Sequence, residues 1–156
     1  MKKLTYLFLA LLIVACSDDD SSEQQTFLQK YNGVTWTEEE VLTEEQVNYW
    51  TVLSTDGFNE GEGLLLPNGN IQCVVDAGGF YAWGVDYDGI KFEIIENSPD
   101  VLRLQVTVIV DDDYSVEAIF THTVSNNDNI LNREIITSSS EIISTYNRNN
   151  SFPCPE

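Results

Sequence analysis

An all-β fold of antiparallel strands, a small barrel or alternatively a β-sandwich, is predicted for this chain by three observations. From Val34 onward, short runs rich in Val, Ile, Thr, Tyr, Phe and Trp follow one another, the composition that fits a pleated, half-buried surface. The run Val101–Val110 alternates: Leu102, Leu104, Val106, Val108 and Val110 fall on one face, and Arg103, Gln105 and Thr107 on the other. Turn sequences punctuate the chain at Asp56-Gly57, Pro67-Asn68-Gly69-Asn70, Ala77-Gly78-Gly79, Asp86-Tyr87-Asp88-Gly89, Asn97-Ser98-Pro99-Asp100 and Ser125-Asn126-Asn127-Asp128. A meander of that kind has exposed edges unless it closes, and a barrel removes them.

The elements follow in order. Lys2 and Lys3 precede an apolar stretch, Leu4 to Val14, which is too short for the roughly 20 residues that span a bilayer. Residues 1–15 therefore read as a signal peptide. Residues 16–25 are polar and acidic and read as a tether, because such a run has too little apolar area to fold. Residues 26–156 form one β domain, long enough for a core of its own. A short helix is expected over Ser22–Asn32, with Ser22 and Gln25 as a capping box, Phe27, Leu28 and Tyr31 on one side, and Gly33 at its end. Glu38 to Gln46 admits a further helical turn.

Strands are expected at Val34–Thr37, Val47–Ser54, Gly63–Leu66, Ile71–Val75, Phe80–Val85, Ile90–Glu96, Val101–Val110, Tyr114–Val124, Ile130–Thr137 and Glu141–Arg148. Asp111-Asp112-Asp113 makes the turn of a long hairpin. Its second strand places Tyr114, Val116, Ala118, Phe120 and Val124 on one face.

The sequence Ile13-Val14-Ala15-Cys16 resembles the lipobox of bacterial lipoproteins. The resemblance implies cleavage before Cys16, a lipid on its sulfur, an acyl group on its amine, and attachment to a membrane through those chains. Ser17-Asp18-Asp19-Asp20 resembles the acidic signal that sends Bacteroidetes lipoproteins to the outer face of the outer membrane. That implies a lipid-anchored, surface-exposed envelope protein, with a periplasm-facing position as the alternative.

With Cys16 lipidated, Cys73 and Cys154 remain, and an even remainder outside the cytoplasm predicts one disulfide between them. No C-x-x-C motif is present, so the bridge reads as structural.

The short helix followed by Gly33-Val34-Thr35-Trp36 at the start of a meander resembles lipocalin-like bacterial lipoproteins, with G-x-x-W where the family has G-x-W. The resemblance implies a barrel that binds a small apolar ligand. It also implies an arginine packed on Trp36, a place that Arg133 or Arg148 would take. Trp36, Tyr81, Trp83 and His122 are the candidate ligand-binding residues, and core packing is the alternative role for each. Tyr81 and Trp83 share one face of a strand, whereas Tyr49 and Trp50 point to opposite faces.

All 26 acidic residues follow Cys16, but only five of the seven Lys and Arg residues do, leaving a mature chain of formal charge −21. Nucleic acid is a poor partner for such a surface. A basic protein is a better one, so an acidic protein-interaction module or inhibitor is the alternative to the small-ligand binder.

No catalytic constellation stands out, and the chain reads as a non-enzyme. His122 is the single histidine, so a Ser/His/Asp or Cys/His site would require it. Its parity puts it on the apolar face of its strand, which favours a core or lumen residue. No metal site or cofactor is expected: the His/Cys cluster of a zinc site is missing, and Asp86-x-Asp88-Gly89 is only a fragment of a calcium loop, which turn chemistry explains. Paired carboxylates for glycoside hydrolysis are too numerous to single out.

Overall fold

A computed structural model describes residues 24–40, 47–111 and 114–154. The signal peptide, Cys16 and nearly all of the tether lie outside the described residues, as do Ser22, the centre of the Asp111–Asp113 turn and the stretch 41–46.

The helix is α1, Phe27–Lys30, only four residues long. Its cap is Thr26, one turn later than Ser22. Thr26 Oγ1 accepts from the Gln29 amide and Gln29 Oε1 accepts from the Thr26 amide, closing a capping box. Gly33, at φ +71°, turns the chain out of the helix as expected.

Among the described residues ten strands follow: β1 (Val34–Glu40), β2 (Val47–Leu53), β3 (Gly57–Leu65), β4 (Ile71–Ala82), β5 (Asp86–Tyr87), β6 (Ile90–Asn97), β7 (Val101–Asp111), β8 (Tyr114–Ser125), β9 (Ile130–Thr137) and β10 (Glu141–Arg148). The fold is all-β and antiparallel, as the alternation predicts. β1 runs through Glu40, so the helical turn entertained from Glu38 does not form there. β3 begins at Gly57, six residues before the strand expected at Gly63. The two strands expected around Ala77-Gly78-Gly79 are a single strand, β4. The glycines make a bulge and not a turn: between the pairs Asn59–Phe80 and Gly61–Val75 the register shifts, and Gly79 takes φ +67°.

All ten strands belong to one sheet, in the order β4-β3-β2-β1-β10-β9-β8-β7-β6-β5. Each half is a meander, and the pairing of β1 with β10 joins the chain's first and last strands. The sheet is not closed by hydrogen bonds, since β4 and β5 are its edges. It nevertheless curls until those edges approach. Phe58 on β3 packs edge-on against Phe92 on β6, ring centroids 4.8 Å apart, although the two strands lie near opposite ends of the strand order. The Gly84 amide donates to Phe92 O at 2.7 Å, and the Ala82 amide to the Tyr87 hydroxyl at 2.8 Å. The expected barrel is thus a curled sheet with a seam, and its inner face carries the core.

Gly57 sits where β3 and β4 approach each other closely. A Cβ there would collide with the Tyr81 carbonyl, the Phe80 ring and Ala82 Cα. Because two of these are backbone, the neighbours cannot move aside without parting the hairpin. Gly57→Ala is expected to cost about 1–3 kcal/mol, as overpacking does, read as a lowered urea midpoint with an unchanged m-value.

One end of the curled sheet is plugged. Phe27 and Leu28 are fully buried, and their amides donate to Ser98 O and Asn97 Oδ1 in the β6–β7 turn. The Tyr31 hydroxyl donates to Asp128 Oδ1 at 2.6 Å in the β8–β9 turn. Asn126, Asn127 and Asp128 all hold positive φ there, a conformation that Asn and Asp tolerate best among non-glycine residues. The hydrogen bond from Tyr31 and the Lys30 ammonium hold the Asp128 carboxyl below its usual range.

Cys73 and Cys154 are bonded, as the cysteine arithmetic predicts. Cys73 is on β4 and the tail leaves β10, so residues 149–154 cross the outside of β1, β2 and β3. The Asn149 amide donates to Thr35 O on the way. This crossing accounts for the burial of Thr37, Trp50 and Phe152 away from the interior. Trp50 pairs with Thr37 and Gly61, and Tyr49 with Glu38 and Glu62, so the two aromatics do face opposite sides.

Candidate functional site

The inner face changes character along the strands. Near α1 it is sealed, with Trp36, Leu53, Leu102 and Leu131 at 0–1% exposure. Toward the other end it opens. Ile142 belongs to the same face, because it pairs with Ile135, which pairs with the core residue Phe120. Val74 belongs to it through Glu62, Tyr49 and Glu38. Yet Val74 is 40% exposed and Ile142 is 53% exposed. Inward-pointing aliphatic side chains that remain in contact with solvent define an open mouth, and Glu38 and Glu62 share its rim.

Between the plug and the mouth lies a charged centre. Strand parity sends His122 inward from β8, Arg133 from β9 and Glu60 from β3. Arg133 Nη1 lies 3.2 Å from Glu60 Oε2, joining strands on opposite walls. Arg133 Nε donates to His122 Nε2 at 3.1 Å. Its guanidinium also lies over the Tyr146 ring, 5.1 Å from the centroid. The β4 bulge falls opposite Glu60, the position at which a bulge re-aims a side chain.

His122 is 1% exposed. Burial and then the neighbouring Arg133 charge push its pKa well below the ordinary histidine value, so the ring is neutral. Since Nε2 accepts from Arg133, the ring proton sits on Nδ1. The Leu102 backbone lies near enough to offset the shift in part, but no hydrogen bond of acceptable geometry reaches Nδ1 among the described residues. Trp36 Nε1 and Thr51 Oγ1 are likewise buried without a partner there.

A histidine with a lowered folded pKa is protonated more readily in the unfolded chain. Its contribution is therefore complete above about pH 6.5 and is lost as pH falls through that value toward the folded pKa. The urea midpoint is expected to drop between about pH 7.5 and pH 5.5. In a His122→Leu variant the drop is expected to be smaller, whatever the variant's stability at neutral pH.

The four sequence candidates separate into two groups. Trp36 and His122 are fully buried on the inner face. Tyr81 and Trp83 lie near the seam, and both stack on Phe58, at 5.2 and 5.5 Å. Trp83 Nε1 donates to Ser54 O. Trp36 packs edge-on against Tyr31. Arg148 pairs in register with Trp36 but donates to Asn150 Oδ1 and Asp128 O, while Arg133 lies over Tyr146. Asp86 is used in its own turn, accepting from the Gly89 amide at 2.7 Å.

Glu60, Thr51 and Tyr146 are site residues that no sequence motif singles out. Their signal was present as parity: Glu60 is two positions from Phe58, Thr51 two from Leu53, and Tyr146 four from Ile142.

What the fold and site define is an open-seamed antiparallel meander with a helix plug, an ion pair across its interior and an aliphatic mouth. No family model matches the chain, no curated protein does, and no solved structure does.

Proposed function

We propose that the chain is a lipid-anchored protein of the bacterial outer membrane, facing outward, that carries a small apolar ligand in the open end of its curled sheet and does not catalyse. The observation that carries the binding reading is the exposure of inward-pointing Val74 and Ile142, on the same face that is sealed at the helix end. Aliphatic surface on the inner face of a curled sheet, with a few polar groups at depth, is the kind of lining small-molecule sites have. The lipobox ending at Cys16 and the acidic run behind it support the envelope address.

Two measurements test the reading. Cys16→Ser is expected to move the protein from the membrane fraction to the soluble fraction and to abolish incorporation of labelled palmitate. Native mass spectrometry of residues 16–156 carrying that substitution, secreted behind a cleavable signal, is expected to retain a small-molecule adduct. An apo mass that stays unchanged on incubation with lipid extract would remove the binding reading and turn attention to a basic protein partner for the −21 surface.

A further inference from the structure

The charged centre holds hydrogen-bonding capacity that the described chain leaves unused. Trp36 is 0% exposed and Thr51 is 1% exposed, and neither Trp36 Nε1 nor Thr51 Oγ1 has a partner among the described residues. Trp36 pairs with Thr51, and Thr51 with Glu60, so the three stand in one row on the inner face of β1, β2 and β3. Glu60 leads through Arg133 to His122, whose Nδ1 proton lies near the Leu102 backbone.

These groups are selective by their chemistry. An indole N–H only donates, a neutral imidazole N–H only donates, and a hydroxyl is able to donate. The two without any partner among the described residues, Trp36 Nε1 and Thr51 Oγ1, are satisfied by an acceptor oxygen. Charge narrows the choice further. Arg133 is neutralised by Glu60 and committed to His122, so an incoming carboxylate would meet Glu60 with no free cation. An ammonium would direct its protons at the N–H donors of Trp36 and His122. Leaving either charge unpaired in this interior is costly.

Resting on the carrier reading above, we infer that the polar end of the ligand is an uncharged oxygen acceptor, a hydroxyl or a carbonyl. It accepts from Trp36 Nε1 and Thr51 Oγ1 beside the Glu60–Arg133 pair, and the apolar remainder runs out past Val74 and Ile142.

The test uses three probes with one tail, dodecanol, dodecanoate and dodecylammonium, titrated calorimetrically at about pH 8, where the last two are charged. The protein is the secreted 16–156 chain. Dodecanol is expected to bind at least about tenfold more tightly than either ion, since a site built to hydrogen-bond one group rejects a mismatched one. Thr51→Val, which keeps the shape and removes one donor, and Trp36→Phe, which removes the other donor together with part of the ring, are expected to weaken dodecanol about fivefold and to leave the ions unchanged. If Trp36→Phe does not fold, Thr51→Val reads the same contact alone. Equal or tighter binding of dodecanoate or dodecylammonium overturns the inference while the carrier reading stands. Tight dodecanol binding that neither variant weakens also overturns it. Failure of all three probes overturns the carrier reading along with it.

Discussion

Arg133→Met is expected to destabilise the protein by about 3 kcal/mol, the lower part of the range for breaking a buried ion pair. Arg133 has a side chain only 9% exposed, and it bonds Glu60 on one side and His122 on the other. Methionine fills similar volume but leaves the Glu60 carboxylate facing an apolar interior and removes the donor from His122 Nε2. The loss comes mostly from these stranded partners and only partly from the attraction itself. Glu60 is 27% exposed on its side chain, so water reaches it in part, which sets the estimate low in the range.

A double-mutant cycle with Glu60→Gln makes the argument quantitative. Glu60→Gln alone leaves the Arg133 charge without its counter-ion. Combined with Arg133→Met it removes both charges, so the double variant is expected to be clearly less destabilised than the sum of the singles. Urea midpoints of the four proteins check this. Strict additivity would mean that the pair contributes nothing, and Arg133 would then matter only through Tyr146 and His122.

The same residues show what periodicity reveals and what it hides. The β7–β8 hairpin was readable because one of its faces is sealed: Leu102, Leu104 and Val106 are at most 5% exposed, and their alternation follows from that. Parity assigns His122 to the inner face, and it lies there. Parity does not say which side chains meet across the interior. Glu60 and Arg133 are 73 residues apart, and only the curl of the whole sheet brings them together. The first half of β3 is illegible in the sequence for a different reason. Gly57-Phe58-Asn59-Glu60-Gly61 is poor in β-branched residues, and its strand conformation is imposed by neighbours, Trp50 opposite Gly61 and the close approach of β4 at Gly57. Ala77-Gly78-Gly79 has turn composition, but the chain spends it on a bulge, because β3 continues to pair on both sides of it. The helix cap was displaced by one turn because Thr26-x-x-Gln29 satisfies the same pattern as Ser22-x-x-Gln25, and Phe27 and Leu28 follow it directly into the core.

Removing the disulfide, by Cys73→Ser with Cys154→Ser, is expected to cost the most of any change outside the interior. The two cysteines are separated by 81 residues, and closing a loop of that size restricts the unfolded chain by about 4.5 kcal/mol in the chain-entropy picture. The native state loses something as well, because the bridge is what ties the tail across β1–β3. Asn149 still donates to Thr35 O, and beyond it Phe152 is held by its burial and by its amide's hydrogen bond to Asn149 O. Once released, the tail uncovers Trp50, which is 2% exposed and whose indole nitrogen has no partner among the described residues. Tryptophan fluorescence therefore separates the two effects. In the reduced or doubly substituted protein, iodide is expected to quench a fraction of the emission under conditions where circular dichroism still reports native strands. In the oxidised protein Trp36 and Trp50 are both shielded. Unchanged quenching with a lowered urea midpoint would place the whole effect in the unfolded chain. Increased quenching before unfolding would show that the bridge also keeps the outer face of the first three strands covered, leaving the ion pair and the plug to hold the interior by themselves.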